Sequence, residues 1–439
     1  YFKPTILVIF NIVFRPVTMV FITVLLLITS GFSDMRVDSS IVENQAKVRQ
    51  LILDNRYQDA ADLLSVIPRS DRDLQHYLLV SQVSLAQQQY EFAIQTLQIA
   101  RGLAPDDLNL MLQLARVYRA AGQNDTAESL TETIINRDSN HRQALILYGG
   151  IQSEKGNWIG VRRVYSELVR QDSTNTFFRY QLAQALNQLS DKGGALIHLR
   201  EAHRISPTHH GVLHDLIRIN YELNLNDIAR DYAEKAVRMS PSHIPFRKRL
   251  AEINFRERRY LDAASQYKEV ITLGERIESN FRNLGMSYYF ANEFELAIEA
   301  FRYALGIGDD PNAHFYMAMS LNQLGQFTQA IKHLESAAQN SMGNLLADSY
   351  IQLGSIFDRT GNLDSSIQNY EIARRLRPDR VDIYFYMASA YDRTGQHRGL
   401  ARDYYRSYLL TETARDATME SYAQTRLRRL SEEIHFRGE

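Results

Sequence analysis

The stretch "LGSIFDRTGNLDSSIQNYEIARRLRP", Leu353 to Pro378, decides the fold. Its apolar residues recur at helical spacing, a glycine, Gly361, interrupts it, and a proline stops it. Read alone, Gly354 and Gly361 suggest a ligand loop. The question is whether the stretch is unique or one copy of many.

Its markers are Leu353-Gly354, Phe357, Gly361, Ser366, Tyr370, Ala373 and Pro378. Steps of about 34 residues recover the same order. One copy holds Leu284-Gly285, Tyr288, Ala297, Phe301 and Ala304, and another Leu182-Ala183, Leu186, Ala195, Leu199, Ala202 and Pro207. Leu114-Ala115, Tyr118, Gly122, Ala127 and Ile134 repeat it again. Units are placed with starts at 41, 74, 108, 142, 176, 210, 244, 278, 311, 347 and 381, and the spacings from 74 to 278 are all 34 residues. Such self-similarity marks a repeat architecture.

Each unit predicts two amphipathic helices. The first carries an apolar stripe, as at Tyr350, Leu353 and Phe357, and Gly122, Gly156, Gly325, Gly361 and Gly395 share one slot after it. Glycine there ends a helix in the left-handed conformation. The second helix places Ala or Ser where the two helices cross. Pro105, Pro207, Pro241 and Pro378 then close their units. One hairpin cannot bury its apolar face, but stacked copies bury it between neighbours.

The order small–small, aromatic, Ala, aromatic, Ala, Pro at this period resembles the tetratricopeptide repeat family. The resemblance covers roughly residues 41–414. It implies an all-α solenoid of about eleven helix-turn-helix units forming a superhelix. The first unit departs from the pattern, with Ala46-Lys47 in place of Leu-Gly, and two extra residues lengthen the connection near Ser341 to Asn344. Residues 415–439 read as a capping helix and tail, with Met419, Tyr422, Leu427, Leu430 and Ile434 on one stripe.

The start of the chain differs from the rest. From Thr5 to Phe32 the only charge is Arg15, beside Pro16. Residues 1–33 read as a signal peptide or a signal anchor, with 34–40 as linker. Lys3 and Arg15 precede the second apolar run, and Asp34, Asp38 and Glu43 follow it. The positive-inside rule then puts the repeats on the non-cytoplasmic side, so the protein is expected to be exported: membrane-anchored facing the periplasm, or released there if the leader is cleaved.

Composition narrows the chemistry. The chain has 439 residues, 45% hydrophobic and 23% charged, with a net charge of −1 and no cysteine. A thiolate nucleophile, a thiolate zinc site and a disulfide are therefore excluded. No basic block hints at phosphate neutralisation, so no nucleic-acid partner is expected. About 40 residues precede the repeats and 25 follow, too few for a catalytic domain. "LGIGDDP" at Leu305–Pro311 follows a helix and lacks the Lys-Ser/Thr of a phosphate loop. No enzyme activity, cofactor or small-molecule substrate is expected.

One anomaly is a histidine cluster, His198, His203, His209, His210 and His214. His210 and His214 are four apart at a helix start and form a weak candidate metal pair, against the plainer reading of solvated imidazoles.

The resemblance implies that the first helices line a groove that receives proteins or peptide segments. By slot, the second, fifth, ninth and twelfth positions face inward. The candidate groove residues are Arg116, Arg119, Phe177, Tyr180, His214, Arg218, Tyr221, Lys248, Phe255, Arg282, Tyr289, Phe315, Asp348, Asp358, Asp382, Phe385 and Asp392. The middle of this set is basic and aromatic, and its C-terminal end is acidic with no base among the inward slots. Such polarity would orient a dipolar partner. The Lys–Asn clamp of chaperone-tail binders is not matched, because Glu252 follows Lys248 where Asn is required. The expected function is a non-enzymatic scaffold in a cell-envelope assembly. The alternative is an accessory subunit of a glycan synthase, secretion or protease system.

Overall fold

The computed structural model describes residues 39–395, 397–411 and 416–437. The leader expected at 1–33, most of the linker and the 414/415 boundary lie outside the described residues. Among the described residues all regular structure is helical, and no helix is long and apolar enough to cross a membrane.

The chain divides into two compact units, residues 1–160 and 161–439. The first holds the helix pairs Ser39–Leu53 with Tyr57–Ser65, Leu74–Ala86 with Tyr90–Leu103, and Leu108–Ala120 with Asn124–Arg137, then Arg142–Glu154. Trp158–Gln171 runs across the division. In the second unit, first helices open at Thr176, His210, Ile244, Glu278, Pro311, Gly343 and Val381, each followed by its partner, and Ala417–Arg437 comes last. Within each unit the pairs stack as an α-solenoid.

Local chemistry explains the boundaries. Asp107 caps its helix by accepting from the Asn109 and Leu110 amides at 2.8 and 3.2 Å, and Asp310 caps the next-unit helix at Pro311 in the same way. At the other end Gly361 adopts φ +82°. The Asn362 amide then reaches the Phe357 carbonyl at 2.9 Å, which reverses the chain. That left-handed slot recurs where glycine is missing: Asn55, Gln88, Ser190, Asn224, Arg258 and Asn292 all have φ between 57° and 65°. The turn geometry is thus imposed by the packing of the two helices and survives an unfavourable residue.

Packing accounts for the small residues. A Cβ on Gly354 would lie 2.7 Å from the Tyr370 ring. Ala127, Ala195, Ala229, Ala263, Ala297 and Ala330, each at one slot of the second helix, are fully buried. Cores continue from one pair to the next, as around Phe281, Phe301, Met317, Leu321, Leu334 and Leu353.

One boundary needs correction. The helix expected to open near 347 opens at Gly343 and runs 17 residues to Arg359. The extra residues of that connection extend the helix backwards to Gly343, which takes φ +65°.

Candidate functional site

In the first unit, Arg116 and Arg119 of Leu108–Ala120 line a cavity of about 670 Å³ together with Gln143 and Glu154. Arg119 Nε donates to Glu154 at 3.2 Å, whereas Arg116 donates to the Gln143 amide oxygen at 3.0 Å and forms no ion pair among the described residues.

In the second unit each of the expected cations has an acid. Arg218 meets Asp215 at 3.1 Å and Glu222 at 2.9 Å. Lys248 meets Glu275 at 3.2 Å, and Arg282 pairs with Asp310 and Glu278. Burial pushes the Asp215 carboxyl up, but hydrogen bonds from His214 and Arg218 outweigh it and hold the group below the usual range. Tyr180 packs on His209 at 5.2 Å, and burial, with Asp215 second, pushes its hydroxyl up to about 12.

The acidic end is corrected in the same way. Asp348 and Asp382 share Arg380, Asp358 pairs with Arg393 at 2.7 Å, and Asp392 takes two bonds from Arg426. Arg380 and Arg393 sit just outside the inward slots, and Arg426 lies on the terminal helix, which was not counted as a repeat, so the slot reading missed all three. The expected charge polarity is therefore neutralised within the protein. Phe385 and Asp392 are also not open surface. Tyr422 and Arg426 of Ala417–Arg437 lie against them, where a following repeat would place its first helix.

The histidines do not converge on a metal centre: among the described residues no three ligating side chains group for one. His210 Nε2 meets Ser240 Oγ at 2.9 Å, His214 Nδ1 lies 3.5 Å from Asp215, and His209 caps its helix by accepting from the Val212 amide.

What remains is aromatic. Phe177, half-exposed, stands edge-on to Tyr165 and Phe178. At the twelfth slot, Tyr221, Phe255 and Tyr289 follow one another in three successive repeats. Phe255 and Tyr289 are joined through Phe290, at 5.5 and 5.1 Å between ring centres. Tyr289 continues to Tyr316 at 5.3 Å, against which Phe315 packs at 5.4 Å. Tyr221, Phe255, Glu252, Tyr267 and Met286 line a pocket of about 380 Å³. The Arg256 guanidinium lies over the Tyr221 ring, 3.4 Å from its centre, and donates to the Tyr221 carbonyl.

The slot reading missed Phe290 and Arg256, both at the thirteenth position. A signal existed: Arg256, Arg359 and Arg393 recur there, and each reaches back to the twelfth slot of the repeat before, at Tyr221, Asn322 and Asp358.

Family models described as tetratricopeptide repeat match residues 84–149 and, with a second model, residues 214–276, 282–344 and 351–417. These matches span more than half of the chain. Among solved structures, the Cut9–Hcn1 hetero-tetramer of the APC/C is similar over 88% of this chain and 83% of its own, at 15% identity and a TM-score of 0.40. Yeast Tom70 is similar over 91% and 97%, at 14% identity and 0.38. The C-terminal part of a repeat protein from Cytophaga hutchinsonii is similar over 55% and 99%, at 15% identity and 0.48. No curated protein matches the chain. With helix pairs, spacing and family models in agreement, the chain belongs to the tetratricopeptide repeat family.

Proposed function

We propose that this protein is a non-enzymatic scaffold that grips a segment of a partner protein by apolar anchors along the inner face of residues 210–323. Its repeat family supports a role in protein interaction. The observation that carries the finer reading is the run Tyr221, Phe255, Tyr289, all half-buried, of which Tyr221 and Phe255 line a pocket of about 380 Å³. Aromatic rings supply large contact area at low entropy cost, which is why they dominate binding hot spots. Because the neighbouring charges are already paired, the partner segment is selected by apolar side chains more than by net charge. Placement in a cell-envelope assembly rests on the apolar leader between Thr5 and Phe32 alone.

The test is affinity capture from the native membrane fraction, comparing the natural chain with Phe255→Ala, Tyr289→Ala and their combination. Loss of two anchors should cost about 2–4 kcal/mol of binding, enough to empty the capture, with helicity unchanged. Undiminished capture by the double variant would sink the proposal.

A further inference from the structure

Asp309 and two histidines form a continuous chain across one helix pair of the second unit. His314 Nε2 meets Asp309 Oδ1 at 2.7 Å, and its Nδ1 meets His333 Nδ1 at 2.8 Å. Asp309 lies in the connection before Pro311–Gln323, His314 in the first turn of that helix, and His333 on its partner Phe327–Asn340. The other Asp309 oxygen accepts from the Asn340 amide at 2.7 Å. One run of side chains thus ties the connection and the start of the first helix to the middle and the end of the second.

A contact between two imidazole nitrogens holds only one hydrogen. The contacts assign the tautomers. His314 donates Nε2–H to the Asp309 carboxylate, so its Nδ1 carries a lone pair, and His333 donates Nδ1–H to that lone pair. One further proton can enter at His333 Nε2 without breaking the chain. A second would put a hydrogen on His314 Nδ1, facing the hydrogen of His333 across 2.8 Å. The contact must then open.

The surrounding charges do not relieve this. Burial, then the charge of His314, lowers the pKa of His333, and no carboxylate among the described residues acts on that ring. Glu278 and Arg282 of Glu278–Phe290 are engaged with each other and with Asp310, and Asp348 of Gly343–Arg359 is held by Arg380. Glu299 and Arg302 of Phe294–Leu305, and Lys332 and Glu335 beside His333, do not act on the ring either.

We propose that Asp309, His314 and His333 are an acid-sensitive latch, which holds Pro311–Gln323 to Phe327–Asn340 at neutral pH and opens when both rings are cationic. Above about pH 6.5 the His333 ring is neutral in the folded and unfolded chains alike, and the latch is intact. Below that pH the opened chain takes up a proton that the closed ring resists, so the closed state loses stability as pH falls. Phe315 and Tyr316 follow His314 on the same helix, so opening loosens the last rings of the aromatic run. That consequence rests on the proposed function; the latch itself does not.

Hydrogen exchange of the full chain without a partner, followed by mass spectrometry between pH 7 and 5 and corrected for the intrinsic rate, tests it. Protection in residues 306–340 should fall about tenfold or more in the natural chain, and less than about threefold in His333→Gln, whose amide keeps a contact that does not titrate. His314→Gln should behave as His333→Gln does. Residues 192–240, which hold His198 and His203, should respond alike in all three proteins and serve as the internal reference. Nitrogen-15 labelling of the histidines at pH 7 reads the latch directly, with the Nδ1–H tautomer expected at His333 and the Nε2–H tautomer at His314. An undiminished protection of residues 306–340 in the natural chain, an equal loss in the variants, or the Nε2–H tautomer at both rings would each overturn the proposal.

Discussion

Phe255 and Phe385 stand on first helices four repeats apart, at slots expected to face inward, and their surroundings differ completely. Phe255 borders an open pocket with Tyr221 and Met286. Phe385 is ringed by Tyr386, Tyr405, Tyr408 and Tyr422, at 5.4 to 6.1 Å. The last of these rings comes from the terminal helix Ala417–Arg437, which also sends Arg426 to Asp392. A slot of the first helices is therefore open surface only where the following element leaves it uncovered. The end of the solenoid uses the same kinds of side chain to close itself.

The sharpest way to break this contrast is to remove one ring from each place. Tyr405 is fully buried, so Tyr405→Ala should cost about 3–5 kcal/mol. Phe255→Ala should cost about 1 kcal/mol, because its ring is only half-buried. Denaturant melts of the two variants measure the difference, and equal losses would mean that the middle is as closed as the end. A smaller effect comes from the ion pair of the terminal helix. Arg426→Ala strands Asp392, whose side chain is only 10% exposed, and should cost about 2 kcal/mol and speed hydrogen exchange in Ala417–Arg437.

The left-handed slot separates the regions more finely. Gly361→Ala should lose about 1 kcal/mol, while Arg258→Gly in the middle should gain about as much, since Arg258 holds φ +61°. Thermal midpoints moving in opposite directions would bear this out.

The weakest contrast is in pH. Burial lowers the pKa of His198, His203 and His333 in the middle repeats, with neighbouring Arg179, Lys235 and His314 adding to it. These rings stay neutral in the folded protein while the unfolded chain takes up protons below about 6.5. Stability from them is present above that pH and is lost as pH falls toward their folded values. Near the end, Asp379 is held at about 2, chiefly by the Arg377 hydrogen bond, and stays charged through the same range. Hydrogen-exchange protection, corrected for the intrinsic fall in rate between pH 7 and 5, should therefore drop in residues 192–340 before residues 381–437.

Much of this was legible in the sequence because period and packing speak locally. Leu-Gly, the crossing Ala and the closing Pro each report a contact inside one hairpin, so the all-helical repeat fold follows from them. The charges were different. Arg380, Arg393 and Arg426 neutralise carboxylates 32 to 35 residues away, and a rule that listed only inward slots counted the acids without their bases. The covering of Phe385 was hidden for a similar reason. The stripe of the terminal helix was visible, but the slots it would occupy depend on its placement as the next first helix.

The central claim, an open aromatic face in the middle and a closed one at the end, is tested most directly by site-specific photo-cross-linking. A benzophenone amino acid would replace Phe255 in one protein and Phe385 in another, with irradiation in the producing cells. The account predicts a discrete partner adduct from position 255, lost when Tyr289→Ala is added, and no intermolecular adduct from position 385. Adducts of equal yield from both positions, or from 385 alone, would contradict it.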